Sequence, residues 1–171
     1  MNGTSIKESL CSLGFVYHSE VVSPEGIILS SQVDHNLLPQ VSIDFIASLL
    51  RGVGSPISTW YVGLFESNYV PTSATTAADL PTIESTAYTQ ASRPVWNNTY
   101  DGVQLITNFD NPAIYTFNAD KTLYGGFLVS NSTKGGNSGT LLSIARFGSP
   151  RDVPAGSEFR LRVSISLVSA A

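Results

Sequence analysis

Few residues in the chain have the chemistry of a reaction, and each sits in a pattern with a simpler explanation. Asp34 and His35 are adjacent, and a carboxylate beside an imidazole is the material of a general acid–base pair. Neighbours on an extended chain point in opposite directions, so the two are expected in a surface loop before a helix. His18 lies 17 positions from His35. No HxH or HxxxH spacing therefore sets two metal ligands on one face. The one cysteine, Cys11, excludes an internal disulfide and a zinc site made from Cys and His alone. Gly136-Asn137-Ser138-Gly139 has the glycine–serine pattern of a protease nucleophile loop, but no matching His or carboxylate motif accompanies it. A hairpin turn accounts for it.

The carboxylates Asp101, Asp110, Asp120 and Asp152 would serve glycoside hydrolysis only if the fold brought two of them to a common cleft. Each stands in a turn context (Asp-Gly, Asp-Asn-Pro, Asn-Ala-Asp-Lys and Arg-Asp-Val-Pro), and turn chemistry explains all four. No P-loop, GxGxxG or GxSxG occurs. The residues thus predict no catalytic site, no cofactor and no metal.

Binding is the alternative to catalysis, and charge and aromatic content bear on it. Of 171 residues, 9 are Lys or Arg and 13 Asp or Glu, a formal net charge of −4. That 13% charged share is about half the usual one. Ser and Thr together make 38 positions, so the surface must be neutral and hydroxyl-rich. A pI near 5.0 gives no electrostatic footprint for a nucleic-acid backbone or an anionic membrane, and neither is expected as a partner. Twelve of the 17 aromatic residues fall between Trp60 and Phe127. An exposed row of Tyr88, Trp96 and Tyr100 would stack on sugar rings, whereas the commoner use of such residues is to fill a sandwich core. Arg160 and Arg162 lie on the non-core side of an alternating run and are, with Trp96 and Tyr100, the candidate partner-binding residues.

The elements that must carry these residues divide near residue 55. Segments 13–22 and 26–33 read as short strands around the Pro24-Glu25-Gly26 turn. Pro39 opens and Gly52 closes a stretch with Val41, Phe45, Ile46, Leu49 and Leu50 at helical spacing, predicting one helix near 39–51. That helix either packs on the core or docks on a neighbouring subunit. Gly52-Val53-Gly54-Ser55-Pro56 reads as a linker. Residues 1–55 are accordingly expected to form an N-terminal anchoring or oligomerisation segment, and 56–171 a β-sandwich domain.

In that second part Trp60-Tyr-Val-Gly-Leu-Phe65 is apolar on both sides, as a strand covered by two layers would be. Residues 71–82 form a long polar connection with one helical turn at 77–80. Further strands are expected at 86–95, 102–107, 113–118, 122–130 and 140–147. The clearest is the last, where Phe159, Leu161, Val163, Ile165 and Leu167 alternate with polar residues. Short strands about ten residues apart without a βαβ rhythm predict an all-β fold, an antiparallel β-sandwich or jelly-roll-like body. No export signal is recognisable at Met1-Asn-Gly-Thr, and no run reaches the roughly 20 apolar residues of a membrane helix. The sequons at Asn2, Asn97 and Asn131 are therefore read as chance.

Residues 59–169 resemble a group of small virion proteins of tailed bacteriophages. The similarity is carried by Trp60-Tyr-Val-Gly-Leu-Phe65, Arg93-Pro-Val-Trp96, Leu123-Tyr-Gly-Gly-Phe-Leu-Val129 with Ser-Asn-Ser-Thr-Lys-Gly-Gly136, Ala145-Arg-Phe147 with Pro150-Arg151, and Pro154-Ala-Gly156. The first 55 residues depart from that pattern. The resemblance implies a capsid decoration (cement) protein on the outer surface of the phage head, made in the host bacterial cytoplasm. It also implies two partners: the major capsid protein, and the chain itself as a homotrimer. A receptor- or glycan-binding module of a tail fibre or spike is the alternative, and it depends on the exposed aromatic row.

Overall fold

The computed structural model describes residues 14–167, so Cys11 and the sequon at Asn2 lie outside the described residues. The chain is an all-β antiparallel sandwich. Strands β1 (Phe15–Val22) and β2 (Ile28–His35) form a hairpin around Gly26, whose φ of 84° suits the turn. The helix α1 (Gln40–Leu50) and strand β3 (Tyr61–Phe65) follow, then a 3-10 helix at Ala77–Thr82. The remaining strands are β4 (Thr99–Tyr100), β5 (Leu105–Thr107), β6 (Ala113–Thr116), β7 (Lys121–Val129), β8 (Leu141–Val153) and β9 (Glu158–Ser166).

Six strands make the larger sheet, ordered β2-β1-β9-β5-β4 with β6 also on β9, and β3-β7-β8 make the smaller. The expected boundary at residue 55 does not coincide with a break in the sheet. β1 runs against β9 through eight consecutive pairs, from Phe15↔Ile165 to Val22↔Glu158, which sets residues 15–35 inside the sandwich. The reason is nonlocal. β9 is a central strand paired along both edges, and β1 supplies one of its partners from the far end of the chain.

Tyr17, Val62, Leu64, Leu128, Ala145, Phe159 and Leu161 pack between the two sheets. Two buried hydroxyls there are paired: Tyr17 Oη donates to Ser143 Oγ at 2.9 Å and Tyr115 Oη to the Val62 carbonyl at 2.8 Å. A second, smaller core covers the other face of the small sheet. There Phe65, Phe127, Val129 and Ile144 meet Ala77, Leu80 and Ile83 of the 66–83 connection. The strand at 60–65 is thus covered on both faces, as its continuous apolar run predicts. The connection read as polar is a lid on that core, with Thr76 and Asp79 forming a capping box at the 3-10 helix.

Two glycines in the small sheet let aromatic rings lie flat across strands. Gly63 is paired with Phe127 and Phe65 with Gly125, a reciprocal arrangement. A Cβ on Gly63 would run into the Phe127 ring, and one on Gly125 into the Phe65 ring and the Ala145 carbonyl.

The helix begins after Pro39 and ends before Gly52 (φ 68°), as its sequence signals indicate. Val41 reaches the second core, and Phe45 meets Trp60 edge-on at 5.5 Å. Leu50, at 86% exposed, points away from both. Two strand assignments differ from expectation. Residues 86–95 make no strand. They cross the sandwich as irregular chain with single bridges Tyr88↔Phe117 and Tyr61↔Val95, and Pro94 has no amide to give to a ladder there. The strand expected to stop at 147 continues to Val153 through a bulge. Four residues, 147–150, oppose only Tyr124 on β7, between the pairs Leu123↔Arg151 and Gly125↔Arg146.

Candidate functional surface

The outer face of the large sheet carries the arginines that the alternation of β9 singles out. Because β9 is regular, Glu158, Arg160, Arg162 and Ser164 point outward while Phe159, Leu161 and Val163 are buried. The antiparallel partner of Arg162 is His18, and that of Arg160 is Glu20. Arg162 Nη1 stands 2.8 Å from Glu20 Oε2, and Arg162 Nε donates to the Phe109 carbonyl at 2.9 Å. The same guanidinium lies 5.1 Å from the centre of the Phe109 ring. His18 also stacks on the Phe109 ring, with centroids 6.5 Å apart, and its Nε2 is 3.9 Å from Glu20 Oε1. Arg160 turns back on its own strand and donates from Nη2 to Glu158 Oε2 at 2.9 Å.

Both arginines are therefore neutralised from within the sheet by Glu20 and Glu158. Surface pairs of this kind contribute little to stability, about 0–1 kcal/mol each. Their effect is to cancel the field of the face. Around them stand Thr107, Thr116 and Ser164, with the apolar side chains of Val33, Phe109 and Ile114 exposed at 59%, 57% and 37%.

The aromatic row expected at the surface is not there. Trp96 is a core residue, edge-on to Phe15 at 6.3 Å, with Nε1 donating to the Val163 carbonyl at 3.0 Å. Tyr88 is buried against Tyr115 at 4.9 Å, and burial pushes its hydroxyl pKa well up, with Glu84 adding to the rise. Only Tyr100 is exposed, at the opposite edge of the sheet on β4. No strand runs through 86–96 to alternate these side chains, so the packing of the sandwich decides which of them face inward.

Asp34 and His35 lie on β2 rather than in a loop, and alternation separates them as expected. His35 is exposed, whereas Asp34 is buried and accepts from the Gly148 amide at 2.7 Å and from Gln32 Nε2 at 2.7 Å. Asp101 accepts from the amides of Val103, Gln104 and Leu105, bonds that hold its carboxyl below the usual range. Asp120 accepts from the Ala155 amide, and Asp152 from Thr122 Oγ1. These last two line an open cleft of about 320 Å³ with Lys121 and Pro154. Among the described residues no group of three His, Cys, Asp or Glu side chains converges as a metal site would require.

The glycine-rich connection between β7 and β8 is pinned at several points, a feature its sequence does not show. Arg93, 1% exposed, grips Glu84 through Nε–Oε1 at 2.8 Å and Nη2–Oε2 at 2.7 Å. It then donates to the carbonyls of Asn131 (2.8 Å) and Gly136 (3.0 Å), while the Gly135 amide donates to Glu84 Oε2 at 2.8 Å. Lys134 sits over the Tyr88 ring at 4.2 Å and donates to the Tyr88 carbonyl. Ser138 Oγ accepts from Asn131 Nδ2, so this serine is a turn residue. The motif residues Arg93, Trp96 and Lys134 are thus held in structural roles. A signal for the Arg93–Glu84 pair does exist in the sequence: two charges stand within an aromatic-rich stretch of a chain that has few.

Neither protein-family models nor curated proteins give a match to this chain.

Proposed function

We propose that the chain is a structural virion protein of a tailed bacteriophage, a capsid decoration protein that binds the outer surface of the head. On this reading its partners are the major capsid protein and further copies of itself in a trimer. The observation that carries the reading is the neutral outer face of the large sheet. Arg160 and Arg162 are cancelled by Glu158 and Glu20, and hydroxyl and apolar side chains surround them. Such a face is cheap to desolvate, and a contact repeated over a shell depends on shape and apolar area more than on charge. A body whose small sheet is buried on both faces supplies the rigidity that such a contact needs.

The glycan-binding alternative rested on an exposed aromatic row, and of that row Tyr100 alone reaches the surface. Quantitative mass spectrometry of purified virions tests the proposal. A copy number on the scale of the major capsid protein is expected. Absence from the particle, or a handful of copies, would overturn it.

A further inference from the structure

Among the described residues strand β2 is the outermost strand of the large sheet, and no charged side chain of Lys or Arg stands along its outer edge. Over Ile28–His35 there is no Lys, Arg or Pro; of the devices by which edge strands ordinarily avoid pairing with another chain, β2 has a bulge at Leu29, at the turn end, and an inward-facing Asp34 that accepts from the Gly148 amide and Gln32 Nε2. The direction of its free backbone groups follows from the ladder. The Asn36 amide donates to the Phe15 carbonyl at 3.1 Å, and the pairing continues without a shift from Val16↔His35 to Val21↔Ser30. Hydrogen bonding alternates along an antiparallel pair, so the amides and carbonyls of Ser31, Val33 and His35 face away from β1. Beside them Ile28, Leu29 and Val33 are 55%, 54% and 59% exposed.

The strand is also held still from behind. Gln32 Oε1 accepts from Ser149 Oγ and from Arg151 Nη1, Arg151 Nη2 donates to Ser30 Oγ, and Asp34 holds the Gly148 amide. A fixed extended backbone with free donors and acceptors in register is completed by one kind of ligand, another extended backbone.

We propose that β2 pairs antiparallel with β2 of a second copy of this chain, across a twofold axis at Ser31. The outward hydrogen-bonding groups lie on odd-numbered residues, so an axis on Ser31 brings them into register. It sets Leu29 opposite the partner's Val33 and Val33 opposite the partner's Leu29. Asp34 faces the partner's Ile28, so no like charges meet. The exposed Glu25 turn of one copy arrives beside the partner's His35, and symmetry makes that contact twice. Strand pairing alone is small against the ~1,200–2,000 Å² of a stable interface; Ile27, Ile28, Leu29 and Val33 of both copies supply the apolar area around it. The contact is isologous and uses up both edges, so it closes instead of propagating into a fibre. Two six-stranded sheets become one continuous sheet. A threefold contact elsewhere on the molecule is compatible with it.

Light scattering of the full chain after size-exclusion chromatography tests this, with Val33→Lys and Ser31→Pro as edge variants and Val103→Lys as a control at the other end of the sheet. The Ser31 amide points away from β1, so proline there removes a donor to the partner and none within the fold. The wild-type particle should have twice the mass of either edge variant, with circular dichroism unchanged, and Val103→Lys should keep the wild-type mass. Equal masses for the wild type and the folded Val33→Lys protein, or a halved mass for Val103→Lys, would overturn the inference. It does not rest on the decoration reading. A chain of unpaired mass that is still abundant on virions refutes only the β2 contact.

Discussion

Replacing Arg93 with alanine removes the cation that holds the β7–β8 connection to the body. It leaves the Glu84 carboxylate, whose side chain has no solvent exposure, with the Gly135 amide as its remaining donor. Summing the four guanidinium hydrogen bonds would overstate the loss, because the folded state has already met the cost of desolvating the arginine. The relevant quantity is the penalty of an orphaned buried charge, about 3–5 kcal/mol. Against a total stability of roughly 5–15 kcal/mol, that is about a fifth or more of what holds the fold. At about 2–4 °C per kcal/mol for a chain of this size, the melting temperature should fall by roughly 6–20 °C. Urea unfolding followed by tryptophan fluorescence gives the free energy directly. The double variant Arg93→Met with Glu84→Leu provides the control: apolar side chains in place of both charges should recover most of the loss. A single variant within about 1 kcal/mol of the wild type, or a double variant that loses the sum of the two singles, would refute the reasoning.

The reciprocal glycine–aromatic pairs make a second prediction. Gly63→Ala and Gly125→Ala should each cost about 1–3 kcal/mol through overpacking. Adding Phe127→Leu should relieve Gly63→Ala, whereas Phe65→Leu should not relieve Gly125→Ala, because the Ala145 carbonyl still blocks the new methyl; thermal melts of the four proteins decide it. A third prediction concerns alkaline pH. Burial raises the hydroxyl pKa of Tyr17, Tyr88 and Tyr115 above its ordinary value, so the stability they lend is complete below about pH 10 and declines as the pH climbs past the raised values. Tyrosinate absorbance from these three of the seven tyrosines should appear only with the unfolding transition. All seven ionising reversibly near pH 10 with the sheet signal intact would contradict it.

What was legible in the sequence was local. The odd-numbered apolar residues of β9 mark its buried face, and Pro39 and Gly52 bracket the helix, because one element's own periodicity and caps determine these features. The double burial of 60–65 shows in the same way. Pairing across the chain leaves no such mark. The partner of β9 lies at the other end of the chain, in β1, so the N-terminal strands look like a separate segment until the register is known. The candidate surface divides along the same line. The outward direction of Arg160 and Arg162 follows from alternation, but the neutralisation of Arg162 requires Glu20 from β1. Trp96 and Tyr88 belong to irregular chain, where no period separates inside from outside. Gly148-Ser149-Pro150 has the composition of a turn, yet it is a bulge whose residues reach across to Gln32 and Asp34.

The pairing of Phe15 with Ile165 has a mechanical consequence. The first and last strands are neighbours, and their outer ends lie at the same pole of the sandwich. Tension applied between the two ends of the described chain would load the hydrogen bonds of β1 and β9 one rung at a time, as a zipper opens, instead of shearing all of them together. A fluorophore attached at residue 14 or 167 would sit at that one pole, away from the turn at Gly26.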